Sequence, residues 1–194
     1  MGVLNPMEEQ VPQTVPAPQA RRLPVWAIVL AFAALLGFLS LIAWGLRRSM
    51  SGPIGVGDPV PDIQMVTFDG QTIHSQDLTG KVVVLNFWAS WCKPCEQEAR
   101  ELEEAYQQHK DGDKVVFLGL AYVDVEPNSR AYLEKFGVTY PNGPDLRTQV
   151  SQMFRIRGVP ETYIIGPDGR LKYVKIGPFI STQEILSAIE PYIE

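Results

Sequence analysis

Charged residues disappear between Pro24 and Leu46, where PVWAIVLAFAALLGFLSLIAWGL runs for 23 positions without one. As a helix rising 1.5 Å per residue, that run would be about 34 Å long, enough for a hydrocarbon core of roughly 30 Å. No face of it is polar, which argues against an amphipathic core helix. Trp26 and Trp44 sit near its two ends, where indole rings favour the headgroup level. A cleaved signal peptide usually has an apolar stretch of about 7–15 residues ending at a small-x-small site, and Ala43-Trp44-Gly45 is a poor one. The pattern predicts an uncleaved transmembrane anchor over 24–46. Before it, residues 1–23 hold Pro6, Pro12, Pro16 and Pro18 and show no helical or strand period, which predicts a disordered tail. After it, RRSMSGPIGVG (47–57) predicts a flexible linker to a single domain over 58–194.

In that domain the pattern alternates between strand and helix. Residues 62–68 and 71–74 flank Asp69-Gly70, a hairpin signal. KVVVLNFWA (81–89) and KVVFLGLAYV (114–123) read as strands buried on both faces. Between them, Cys95, Ala99, Leu102 and Tyr106 recur at helical spacing along Cys92–His109. Asn128 to Phe136 predicts a helix stopped by Gly137, and a shorter helix follows near 147–154. TYIIG (162–166) and RLKYVKIG (170–177) form a hairpin across Pro167-Asp168-Gly169. Ser181 to Glu190 closes the chain as an amphipathic helix, with Ser181 as N-cap and Glu184 at capping-box spacing. The fold class implied is α/β with a mixed central sheet flanked by helices.

Charge narrows the range of partners. The chain has 17 basic and 22 acidic residues, a net of −5. Only Arg21, Arg22, Arg47, Arg48, Glu8 and Glu9 precede residue 58, so the acidity belongs to the domain. No nucleic-acid partner is expected of such a surface. The four arginines bracket the apolar run two by two, so the positive-inside rule does not orient it.

The chemistry is concentrated where the first buried strand passes into its helix. Cys92-Lys93-Pro94-Cys95 contains both cysteines of the chain. Free N–H groups and the macrodipole at a helix N-terminus favour a negative charge, so Cys92 is the expected attacking thiolate. Lys93 adds a positive charge beside it, and Pro94 stiffens a first turn where its missing N–H goes unused. Cys95, one turn inward, is the expected resolving thiol. A c-type haem site needs histidine after the second cysteine, and Glu96 is there. A structural zinc needs four ligands, and beyond the cysteines only His74 and His109 are obvious, so no metal is expected. The expected redox group is the Cys92–Cys95 dithiol itself, with no other cofactor.

NFWASWCKPCEQE (86–98) resembles the active-site stretch of the thioredoxin superfamily, and in particular its membrane-anchored TlpA/ResA/DsbE (CcmG)-like branch of redoxin domains. The resemblance runs from about Gly57 to Ile193 and takes in GDPVPDI, the hairpin before GKVVVLNFWASWC, and GVPETYIIGPDGRLKY. It implies a thioredoxin fold with an N-terminal β-hairpin extension. It also implies that Val159–Pro160 is a cis peptide facing the dithiol, a substrate-binding shelf; the bare sequence supports only a turn. Trp91 is expected to be an exposed substrate contact and Trp88 a core residue. Glu161, after the proline, resembles the cytochrome-maturation members. Cytosolic thioredoxins carry a buried aspartate six residues before the first cysteine, and here that residue is Asn86.

Glu98 has two readings. In the ResA-like branch a glutamate at this spacing lies beneath the dithiol and assists proton transfer. Alternatively, Glu98 belongs to a solvated acidic face with Glu101 and Glu104, since it lies about 60° around the helix from Cys95.

By resemblance, residues 1–23 face the cytoplasm and 47–194 lie outside it. The function implied is a membrane-tethered thiol–disulfide oxidoreductase that reduces disulfide-bearing proteins, apocytochrome c foremost, and draws electrons from a membrane thiol carrier. Two alternatives remain. A peroxiredoxin-like peroxidase wants proline and threonine or serine seven and three residues before its cysteine, where this chain has Leu85 and Ala89. A non-catalytic docking module for an apocytochrome or a haem-delivery partner would need neither thiol.

Overall fold

The computed structural model describes residues 24–49 and 53–193. The tail expected over 1–23 lies outside the described residues, as do 50–52 of the linker. The chain divides into two units at about Ser51–Gly52.

The first unit is helix α1 (Val25–Ser49). Its Val25–Leu46 stretch is long and apolar enough to cross a membrane. Phe32, Leu36, Phe38 and Leu41 are all exposed on it.

The second unit is built on a five-stranded sheet. Its elements are β1 (Gln64–Val66), β2 (Thr72–His74), β3 (Val82–Trp88), α2 (Lys93–His109), β4 (Val115–Ala121), α3 (Glu126–Phe136), β5 (Asn142–Pro144), α4 (Gln149–Phe154), β6 (Glu161–Ile165), β7 (Leu171–Ile176) and α5 (Thr182–Ile189). The strand order is β5-β4-β3-β6-β7. β3 runs parallel to β4 and antiparallel to β6, β4 runs parallel to β5, and β6 runs antiparallel to β7. The predicted mixed sheet is therefore present, with β3 at its centre and the hairpin β1–β2 as a separate pair.

Alternation along β3 divides the core. Val83, Leu85 and Phe87 pack with Leu118, Leu120, Tyr163, Phe154 and Met65 on one face. Val82 and Val84 pack with Phe117, Ile164, Leu102, Ala105, Ile185 and Ile189 of α2 and α5 on the other. Every residue of β3 is buried, the polar Asn86 included, as its largely β-branched and aromatic run predicts.

The structure departs from the sequence pattern in several places, α3 starting at Glu126 rather than Asn128 among them. β5 was invisible in the pattern: Asn142-Gly143-Pro144 has turn composition and becomes a strand because Gly119–Ala121 present a parallel edge to it. The helix predicted over 147–154 starts two residues late, since Arg147 and Thr148 have positive φ (57° and 56°). Asp145 caps it instead, accepting from the Val150 and Ser151 N–H groups at 2.9 and 3.0 Å. The predicted linker overlaps the fold at its end, where Ile54 packs on the core and the Gly57 N–H donates to the Leu171 carbonyl at 2.7 Å. The capping box of α5 is half formed. Ser181 Oγ accepts from the Glu184 N–H at 3.3 Å, but the Glu184 carboxylate reaches Ile180 N–H and Lys175 rather than Ser181.

Candidate active site

The dithiol stands where the buried β3 ends and its chain must turn to enter α2. A tight turn, with Cys92 N–H donating to the Ala89 carbonyl at 3.1 Å, places Cys92 at the N-cap of α2. Its Sγ accepts the Cys95 N–H at 3.1 Å, so one of the free donors of the helix terminus is directed at the first sulfur. Pro94 occupies the first turn, as expected. Cys92 and Cys95 form a disulfide with an S–S distance of 2.02 Å, and both residues are buried.

Lys93 is exposed and its ammonium pairs with Glu96 at 3.1 Å; Lys135 of α3 approaches the same oxygen at 3.4 Å. These cations hold the Glu96 carboxyl below the usual carboxylate range, with Lys93 the largest cause. An anionic Glu96 opposes the field of the Lys93 ammonium at the sulfur, and Lys135 adds a second positive charge to the group.

Val159–Pro160 is a cis peptide. The Val159 carbonyl oxygen lies 3.5 Å from Cys92 Sγ, which brings the two predicted halves of the site together. Glu161 is buried behind them. Its carboxylate accepts from the Arg157 N–H at 2.8 Å and the Tyr163 hydroxyl at 2.7 Å, and so braces the turn that carries the proline. Trp91 is 59% exposed, with its indole N–H donating to the Val123 carbonyl at 3.0 Å. Trp88 is buried, stacks on Tyr132 at 4.5 Å between ring centroids, and donates to Asn142 Oδ1 at 2.8 Å.

Glu98 does not belong to a solvated face. It is 1% exposed, whereas Glu104 on the same helix is exposed. Asn86 Nδ2 donates to its Oε1 at 2.8 Å, and the Phe179 N–H donates to its Oε2 at 3.0 Å. Burial raises its pKa to about 7, against the opposing pull of the Phe179 N–H, Asn86 and the Lys175 charge. Helical spacing placed Glu98 at the edge of the apolar stripe but could not reveal that α5 and the preceding loop close over that edge.

Several residues of the site carried no recognisable signal. In the sequence Asn86 stands out only as a departure from the cytosolic pattern, yet its amide bridges Glu98 and Thr162 Oγ1, the latter at 2.9 Å. The register explains the meeting, because Asn86 and Thr162 are direct partners across β3 and β6. Asp124 fixes the loop beneath Trp91, accepting from the Ser90 N–H at 2.6 Å and the Ser90 hydroxyl at 2.8 Å. Val123, next to it, has φ of 45°, an uncommon conformation for a β-branched residue.

The family model described as AhpC/TSA matches residues 56–174, more than half of the chain. The chain belongs to the AhpC/TSA family. Within this family's reach, it is 28% identical over 167 residues to the thiol-disulfide oxidoreductase ResA of Geobacillus thermodenitrificans, covering 84% of this chain and 93% of that one. It is 31% identical over 166 residues to the thiol:disulfide interchange protein DsbE of Allochromatium vinosum, covering 81% and 87%. With ResA of Oceanobacillus iheyensis the identity is 32%, over 63% of this chain and 65% of that protein. A thioredoxin-family thiol:disulfide interchange protein of Chlorobium tepidum superposes with a TM-score of 0.64 at 25% identity, covering 74% of this chain and 99% of that one. The fold is thioredoxin-like, and this AhpC/TSA member is an oxidoreductase of the thiol–disulfide class.

Proposed function

We propose that the chain is a membrane-tethered reductant of protein disulfides outside the cytoplasm. The observation that carries the reading is the Cys92–Cys95 pair at the N-terminus of α2, with the Val159 carbonyl 3.5 Å from Cys92 Sγ. In the reduced chain, the Cys92 thiolate attacks one sulfur of a substrate disulfide. An S–S bond forms between Cys92 and the substrate, and the substrate's other sulfur leaves as a thiolate that takes up a proton. Cys95 gives its proton to the Glu98 carboxylate and attacks Cys92 Sγ, releasing the second substrate thiol and closing the Cys92–Cys95 disulfide. Two electrons pass to the substrate, and a membrane thiol carrier restores them. With a pKa of about 7, Glu98 is poised to accept and return a proton near neutrality.

The backbone of Val159 and Pro160 offers an extended substrate segment a place to lie, and Trp91 presents an exposed ring at its side. The relatives named DsbE and ResA, together with the GVPE stretch, support the CxxCH cysteines of apocytochrome c as substrates. Helix α1 supplies the anchor, with the tail on the cytoplasmic side.

The test is a Cys95→Ser variant expressed in intact cells. It should accumulate mixed disulfides through Cys92, with apocytochrome c among the captured chains. Recovery of no cysteine-containing partner would defeat the mechanism, and capture of unrelated proteins alone would defeat the cytochrome assignment.

A further inference from the structure

The Glu98 carboxylate and the cis-proline turn are held by one short piece of chain. At one end of the β7–α5 loop, the Gly177 N–H donates to the Pro160 carbonyl at 3.0 Å. Two residues on, the Phe179 N–H donates to Glu98 Oε2 at 3.0 Å. The Phe179 side chain is fully buried in the α2–α5 core, which anchors the loop from below. From outside, the loop is spanned by an ion pair. Lys175, before it on β7, bonds to Glu184 on α5, and the other Glu184 oxygen accepts the Ile180 N–H at 3.0 Å. The Lys175 ammonium also lies 5.4 Å from the centre of the Phe179 ring. One carboxylate thus ties strand, loop and helix together around the residue whose N–H meets Glu98.

We propose that the Lys175–Glu184 pair is a clamp that positions Phe179, making Lys175 and Glu184 positioning residues for the Glu98 proton. This deepens the reading of Glu98 as the proton acceptor of the dithiol and rests on it. The pair is half-buried, with side chains 23% and 29% exposed, so its field reaches inward with less screening than that of a surface pair.

The other titratable groups near Glu98 hold other positions: on α2, Glu101 accepts from the Thr182 N–H and hydroxyl at 2.6 and 2.7 Å, and Glu104 from the same hydroxyl at 2.9 Å, at the start of α5 rather than at Phe179. Tyr132 of α3 and Tyr140, ahead of β5, both feel its charge, but burial pushes both phenols up, and they stay neutral throughout the relevant range. Lys175 favours the Glu98 carboxylate and Glu184 opposes it, so charge alone and clamping both predict a rise on loss of Lys175 and part only on loss of the Glu184 charge.

The experiment is a carbon-13 NMR titration of the glutamate side-chain carboxyls in the full, oxidised chain in detergent micelles, with Glu98→Gln used to assign the Glu98 signal. Lys175→Met should raise the Glu98 midpoint by about half a pH unit or more, roughly threefold in proton affinity, while Lys175→Arg leaves it in place. Glu184→Gln separates the two accounts. Loss of the Glu184 charge alone lowers the midpoint, whereas release of Phe179 from Glu98 raises it, and a rise is the expected result. An unchanged midpoint in Lys175→Met, or an unchanged or lowered one in Glu184→Gln, overturns the clamp. The oxidised chain has no thiols, so this readout is independent of whether Glu98 accepts a proton from Cys95. That question is answered by the pH profile of Cys92 alkylation in reduced Glu98→Gln.

Discussion

Glu98 shows how one side chain reconciles burial with chemistry. Its carboxyl is almost sealed from water, which favours the protonated form, yet two N–H donors are aimed at its oxygens, which favours the anion. The balance lies near neutrality. Stability follows from this with a definite sign. A carboxyl whose pKa rises from 4.5 to about 7 on folding adds stability that is fully present below pH 4.5 and lost as pH rises through 7. The amount is on the order of 3 kcal/mol. Urea unfolding of the oxidised chain between pH 4 and 9 should therefore show a decline that Glu98→Gln removes, and equal slopes in the two proteins would contradict the buried ionisation. Asn86 is the complementary case. Asn86→Asp would set a second carboxyl against the first, and the pair would titrate as a unit with one proton strongly retained. Its cost should be about 2 kcal/mol or more at pH 8 and shrink at pH 5, measured by the same unfolding.

The elements differ in how much of their origin is local. β3, β4, α2 and the β6–β7 hairpin announce themselves through short β-branched and aromatic runs, a helical apolar stripe and a Pro-Asp-Gly turn, and the structure has all of them. β5 does not, because only pairing with β4 makes its three residues a strand. The site divides in the same way. Cys92, Cys95 and Pro160 could be read from motif and resemblance, whereas the roles of Asn86, Thr162 and Phe179 depend on strand register and loop closure that no local pattern encodes. Two glycines test the distinction. Gly137 ends α3 with φ of 68° and open space around its missing Cβ, so Gly137→Ala carries only the left-handed backbone cost, about 1 kcal/mol. At Gly143 in β5, a Cβ would meet the Val66 carbonyl oxygen of β1 at 2.2 Å. Backbone cannot swing aside as a side chain does, so Gly143→Ala must push the β1–β2 hairpin away. A loss of about 2–4 kcal/mol is expected, by analogy with overpacking and strain elsewhere. Equal melting shifts for the two variants would mean that the hairpin gives way for no more than about 1 kcal/mol.

For the whole molecule, the question is which compartment the dithiol meets. Two arginines precede the apolar stretch of α1 and two follow it, so charge gives no preference, and the length of the following domain does not hinder its translocation. The proposed function does discriminate. A reductant of protein disulfides finds its substrates where disulfides form and persist, in an oxidising compartment. In the reducing cytosol the same pair would gain nothing from an anchor. The expected orientation therefore has the C-terminus outside. Alkaline phosphatase fused after Glu194 should be active, and a fluorescent protein that matures only in the cytoplasm should stay dark at the same point. The reverse pair of results would place the domain inside and remove apocytochrome c from its substrates. With the domain outside, reducing power must arrive through the membrane. Deleting the thiol carrier should then leave Cys92 and Cys95 fully oxidised in cells, read as loss of maleimide-induced gel shift after acid quenching.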